Sequence, residues 1–329
     1  MPAFRVRPAR GVLLFLALLA AAVLVVLLEP DLREWLQERP RVPRGEYRHD
    51  RFGTRPAEHL RSFEAFVSSL DGIDDDDGDG RPDTLRVPQW VAYELRRETG
   101  PLPSQPRPSR WSTDAGLAAL GVAPTDDSYT YPRAFRAARP DWYVRGHLAA
   151  RYHAQRLGSR AADATQTLLN AVPQRDRLNG GAWLDLECLT GAWANEYGAV
   201  WIVTGPVFAA GGPQAYLGEE DRGEKRVAIP DALFKVVVRQ PDGDGLPDVL
   251  GFLYPQDSPE VAGGPCRQER FLASVDSIET LTSLDLLAAL PEAAQRGLES
   301  DRPQRLWPVA AASFDPACQR TRQCAGPGL

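Results

Sequence analysis

A chain of 329 residues with 43% hydrophobic and 25% charged side chains has the composition of one large or two ordinary globular domains, which excludes wholesale disorder, a collagen-like fibre and a small disulfide knot. The formal net charge of −6 argues at first against a polyanion-binding protein. It does not hold as an argument: residues 71–83 alone carry seven aspartates and one arginine, so the remainder is neutral, and the near-total use of arginine over lysine points to a GC-rich genome more than to a function.

Residues 1–10 form a basic N-terminus with Arg5, Arg7 and Arg10, and Gly11 to Leu28 is an unbroken apolar run of 18 residues. A helix of that length just reaches across a hydrocarbon core, and the preceding arginines favour the cytoplasmic side. The expectation is an uncleaved transmembrane signal anchor over 11–28, membrane contact through that helix, and everything after it outside the cytoplasm, periplasmic or extracellular. A cleaved signal peptide, giving a secreted protein, is the competing reading. Residues 29–50 are charged and contain proline, as a stalk would; residues 51–308 form the main domain and 309–329 a Cys-containing tail.

Within the domain, Phe63–Ser69 and Leu85–Glu94 read as a hairpin across the aspartate loop. Four prolines in 101–109 demand a loop, and 111–139 reads as irregular. Gly180–Glu196 has helical spacing of Trp183, Leu186, Leu189 and Trp193, and Val200–Val203 reads as a buried strand. A second hairpin joins Phe234–Val238 to Val249–Tyr254 through another Asp-Gly loop, and Ser277–Leu290 reads as an amphipathic helix capped by Ser277 or Asp276. Cys188, Cys266, Cys318 and Cys324 form no CxxC pair and allow three pairings, among which the sequence does not choose; Cys318 and Cys324 are near enough to close a small loop.

The residues suited to chemistry lie between 144 and 208: Val144-Arg145-Gly146-His147, Asn170-Ala-Val-Pro-Gln174, Leu178-Asn179 through Glu187, and Val203-Thr204-Gly205-Pro206-Val207-Phe208. An imidazole such as His147 can take a proton from water near neutral pH. The amide oxygen of Asn179 suits a hard cation that keeps most of its waters. Glu187, eight residues on, falls about 80° round a continuous helix and so borders the same cleft. Bland roles stand beside these. Asn179 before two glycines is a good helix cap, Glu187 a solvated charge, Arg145 a surface arginine and Asn170 a turn former. His49, His59 and His153 lie outside the blocks and read as ordinary.

In their order and separation these blocks resemble the DNA/RNA non-specific endonucleases of the ββα-metal class. Arg86–Tyr93, Ile229–Lys235 and Ser277–Asp285 extend the resemblance over most of 60–308. It implies an α+β fold with a mixed, largely antiparallel central sheet, flanking helices and a ββα-metal finger over about 143–197. It also implies hydrolysis of DNA and RNA to 5′-phosphate ends, with His147 as general base, Asn179 as ligand of Mg²⁺ or Mn²⁺, and Glu187 orienting the ion's waters. Asn170 would support the site, while Arg145 and an upstream arginine, Arg110 or else Arg107, would meet phosphate. A homodimer is left open. Two departures are Val144, where family members carry Asp or Ser, and Gly191-Ala192, where they tend to carry arginines. These support an alternative, a catalytically silent, calcium-stabilised binding module outside the cytoplasm.

Asp75, Asp77, Asp79 and Asp83 occupy positions 1, 3, 5 and 9 around Gly80, a spacing that resembles calcium loops of thrombospondin type 3 and dockerin-like repeats. Arg86 stands where an EF-hand places its bidentate glutamate. A weaker second Ca²⁺ loop is Asp242, Asp244 and Asp248, for which hairpin-turn chemistry is the plainer account.

Overall fold

Strands that read as near-continuous apolar runs can bury both faces only when a layer covers each side of their sheet. The computed structural model describes residues 47–73, 84–103, 106–129, 142–218, 224–241, 246–262 and 267–318, and has that layered arrangement. Its strands are β1 (Arg61–Ser62), β2 (Val67–Leu70), β3 (Pro88–Arg96), β4 (Tyr143–His147), β5 (Ala171–Arg175), β6 (Ala199–Val207), β7 (Ala232–Arg239), β8 (Asp248–Pro255) and β9 (Leu272–Ala273). Seven of them make one sheet in the order β9-β8-β7-β6-β3-β2-β1, and every neighbouring pair is antiparallel. The fold class is therefore α+β, with a main sheet that is antiparallel throughout instead of mixed.

Alternation along β7 divides the core. Leu233 and Val237 join Val200 and Ile202 of β6 and Phe252 of β8 on one face, while Phe234, Val236 and Val238 join Trp201 and Val203 on the other. The first face is covered by the ribbon β4–β5 and by helix α4 (Leu184–Tyr197). Helices α1 (Ala115–Leu120), α2 (Arg151–Ala154) and α3 (Ser159–Ala164) lie in the connections before α4. The second face is covered by α5 (Val275–Thr282), which buries Val275 and Ile278. Helix α6 (Glu292–Ser300) follows.

Several boundaries differ from the sequence expectation for local reasons. Helix α1 forms inside a stretch that reads as irregular because the Asp114 side chain caps it, accepting from the Leu117 N–H. Helix α5 is capped by Ser274 and stops at Ser283 (φ 56°), well short of Leu290, since Asp285–Leu286 leaves to pair with Thr54–Arg55. The segment after α6 folds back, burying Trp307 and Phe314, and Cys318 bonds to Cys188 on α4.

The expected membrane anchor is corrected. Among the described residues no helix is long and apolar enough to cross a membrane, and 11–28 lies outside them. Apolar length marks a candidate span and does not by itself establish one. The membrane partner, and the periplasmic or extracellular location inferred from the anchor, are withdrawn with it.

Candidate active site

Arg145 and His147 project from the same face of β4, two residues apart. Gly146 between them is required by packing: a Cβ there would lie 2.6 Å from the Cβ of fully buried Gln174 on β5. The strand ends against Asn170, which is fully buried. The Asn170 carboxamide donates to the carbonyls of Ala149 and Thr165, each at 3.0 Å, and accepts from the Ala149 N–H at 2.8 Å. The Leu148 N–H donates to its main-chain carbonyl. Asn170 thereby locks the backbone directly after His147.

The His147 ring packs against Trp111, with centroids 4.7 Å apart. Its Nε2 is shielded from solvent and, among the described residues, closes no hydrogen bond of good geometry, the only polar side chain interacting with the ring being that of Gln166, whose contact partly opposes the fall in pKa. Burial, reinforced by the charges of Arg107 and Arg151, pulls its pKa down to about 3. The imidazole is therefore neutral at physiological pH, the form that accepts a proton.

Asn179 opens a kinked stretch, Asn179–Trp183, in which Gly181 leaves the helical region, and α4 starts only at Leu184. The continuous-helix argument placing Glu187 80° from Asn179 does not apply across this kink. Asn179 caps no helix through its side chain, and among the described residues no hydrogen bond engages its carboxamide. Trp183, ending the same stretch, donates its indole N–H to the His147 carbonyl at 3.3 Å and so ties this turn to the end of β4. Glu187 lies in the first turn of α4, where the helix dipole favours an acid. Burial nevertheless raises its pKa, opposed by the charges of Lys235 and Arg107 and by the Trp183 side chain.

Arg145 pairs with Asp126 at 2.7 Å and lies over the Tyr129 ring. Arg110 is exposed. Of the two upstream arginines it is Arg107 whose charge reaches both His147 and Glu187. Arg151, absent from the sequence expectation, anchors the loop before Arg107 by donating to the Pro106 carbonyl, and pairs with Asp163. Val144 is half-buried beside the site strand. Gly191 and Ala192 are buried, and Arg156 fills the space at 191, donating to the Gly191 carbonyl at 3.2 Å. His49 and His153 are buried and held by protein partners.

Of the aspartate loops, Asp75, Asp77, Asp79, Asp83, Asp242 and Asp244 lie outside the described residues. Asp71 accepts from the Leu85 N–H and closes the neck of the first loop. Asp248 is held by Arg239 at 2.6 Å.

A profile of the DNA/RNA non-specific endonuclease family matches residues 80–293. The chain belongs to that family. The nuclease is 30% identical over 220 residues to the Nuclease of Serratia marcescens, covering 66% of this chain and 74% of that one. It is 29% identical over 238 residues to human mitochondrial endonuclease G, covering 71% of each. A chain in the crystal structure of the EndoG/EndoGI complex shares the fold, with TM-score 0.56 and 21% identity over 77% of this chain and 96% of that one. The nuclease is thus a metal-dependent hydrolase of phosphodiester bonds with DNA and RNA as its substrate class.

A second acidic group lies on the opposite side of the sheet. Asp276 and Glu279 of α5 and Glu299 of α6 each bring a carboxylate oxygen within 4.8 Å of the others, a trio able to hold a divalent cation. Burial raises the Glu279 pKa to about 7, and the neighbouring Glu299, Asp285 and Asp276 add to the shift. No signal in the sequence joins these residues, because they come from two helices separated by a strand.

Proposed function

We propose that the nuclease cuts DNA and RNA with little sequence preference, His147 taking the proton from the attacking water. The observation that carries this reading is the neutral His147 ring, its Nε2 in no hydrogen bond of good geometry, on a strand end locked by Asn170. The donor set fits Mg²⁺ or Mn²⁺, since the unengaged carboxamide of Asn179 and the carboxylate of Glu187 are hard oxygen groups. Asn179 would hold the ion, which when bound offsets negative charge on the phosphate and on the departing oxygen. Glu187 orients solvent at the site. Arg107 and Arg145 meet the phosphate as guanidinium forks, Arg145 by exchanging the exposed Asp126 carboxylate for the substrate. Arg110, exposed on the same loop, is the other upstream arginine available to the phosphate. Asn170 holds His147 in place from behind.

The test is His147→Ala in the full chain. Plasmid nicking in Mg²⁺ is expected to fall at least 10²-fold with circular dichroism unchanged; retained cleavage refutes the assignment of the base. Replacing Asn179 by Ala is expected to raise the Mg²⁺ concentration needed for half-maximal nicking.

A further inference from the structure

Trp111 lies in the loop between the proline-rich stretch 101–109 and helix α1, half-buried and packed against the core of the first sheet face. Its indole meets the His147 imidazole with ring centroids 4.7 Å apart and planes inclined by 42°, within the range of separations that aromatic rings favour. A ring can orient its neighbour only if it is itself held. The next residue supplies that hold. The Ser112 N–H donates to the Gln166 carbonyl at 3.0 Å and the Ser112 carbonyl accepts from the Leu168 N–H at 2.8 Å, a parallel bridge onto Thr167. The Thr167 hydroxyl donates to the same Ser112 carbonyl at 3.2 Å. Further on, the Thr113 hydroxyl donates to the Pro124 carbonyl at 2.7 Å, and Asp114, the cap of α1, pairs with Arg61 at 2.6 Å.

One short buried segment therefore acts on His147 twice. Asn170 fixes the backbone after the histidine, and Gln166, Thr167 and Leu168, through Ser112, fix the indole that lies against its ring. The backbone lock alone leaves the imidazole free to turn, because χ1 has three staggered wells and χ2 of histidine is broad. An indole beside the ring closes the wells that would carry the imidazole through its space. Other groups do not take over this role. Gln166 meets the ring without a hydrogen bond of good geometry, and Arg107 and Arg151 act on it through their charge. Among the described residues, Trp111 is the one aromatic side chain stacked on His147.

We propose that Trp111 is a positioning residue for phosphodiester hydrolysis: pinned to Thr167 through Ser112, its indole holds the His147 ring in the orientation from which it takes the proton, without itself touching substrate. The proposal rests on the reading of His147 as the general base.

The test is Trp111→Leu in the full chain, with kcat and KM for nicking measured in saturating Mg²⁺ and normalised to the folded fraction from circular dichroism. An aromatic pair biases an equilibrium about 2- to 10-fold beyond its area burial, so kcat is expected to fall by about that factor while KM for DNA stays unchanged. Trp111→Phe, which keeps a flat ring at the same place, is expected to recover most of the loss. The chain has four histidines, so the His147 Cε1–H resonance can be assigned by its disappearance in His147→Ala. It carries the ring-current shift of the indole, and is expected to move in Trp111→Leu at a pH where the imidazole is neutral. Should Trp111→Leu fail to fold, Trp111→Gln suits a half-exposed loop position and takes its place with the same expectations. A rise in KM with kcat intact would make the indole a stacking surface for a base and overturns the proposal, as does an unchanged kcat or an unmoved His147 resonance. Retained cleavage by His147→Ala defeats the reading of His147 and the positioning role with it, although the ring-current shift still reports the contact. Loss of cleavage in His147→Ala with kcat intact in Trp111→Leu refutes the role of Trp111 alone.

Discussion

Replacing Asn170 by alanine separates a residue that supports the site from one that touches substrate. The wild-type carboxamide satisfies three interior groups, the Ala149 N–H and the carbonyls of Ala149 and Thr165. Alanine leaves all three unpaired, and each buried group left without a partner costs about 1–3 kcal/mol, so a loss of about 3–5 kcal/mol is expected after partial relaxation. Asn170→Asp keeps the acceptor for the Ala149 N–H but turns a carboxylate on two carbonyls, and is expected to be no more stable than alanine. Urea unfolding followed by circular dichroism measures the loss. Because Asn170 is fully buried, its removal should lower kcat, by loosening the backbone after His147, while leaving KM for DNA unchanged in the fraction that stays folded. A stability loss below about 1 kcal/mol, or a rise in KM with kcat intact, would refute the reasoning.

Gly146→Ala is expected to lower both stability and nicking, by about 1–3 kcal/mol in stability, because the new Cβ meets Gln174 2.6 Å away; Gln174→Ala in the same chain should restore part of the loss in a thermal melt. Removing the Cys188–Cys318 bond, which closes 130 residues, should destabilise by about 4–5 kcal/mol on chain-entropy grounds, and a reductant should bring the wild type to the melting temperature of Cys318→Ser. Glu279→Gln tests the acidic trio. The folded pKa of Glu279, about 7, lies above the ordinary 4.5, so the stability carried by its protonated form is present below 4.5 and lost as pH rises through 7. The amide should therefore raise the melting temperature at pH 8 and leave it nearly unchanged at pH 4; the opposite order would show that the trio's repulsion is absent. His147 has the opposite sign. Its lowered pKa contributes stability above pH 6.5 that is lost as pH falls towards 3, so His147→Ala should flatten that part of the acid-unfolding curve.

Order and spacing of short blocks around His147 were enough to mark the family resemblance, which in turn implied the α+β class; both long hairpins were legible separately, because periodicity and turn chemistry are local properties of a chain. The same locality misled at residues 11–28, where apolar length stood in for a membrane, and at Asn179–Glu187, where a helical wheel was drawn through the kink at Gly181. The pairing of Cys188 with Cys318, the influence of the Arg107 charge on both His147 and Glu187, the anchoring of its loop by Arg151 and the trio on α5 and α6 were decided only when distant segments packed together. Lys235 lies between these cases. A lysine set in the run Leu-Phe-Lys-Val-Val-Val of an otherwise arginine-rich chain is a visible anomaly, yet only the packed fold shows it sealed against the Trp183 ring. Sequence specifies which groups are available; the low dielectric and fixed distances of the packed core decide which of them carry charge.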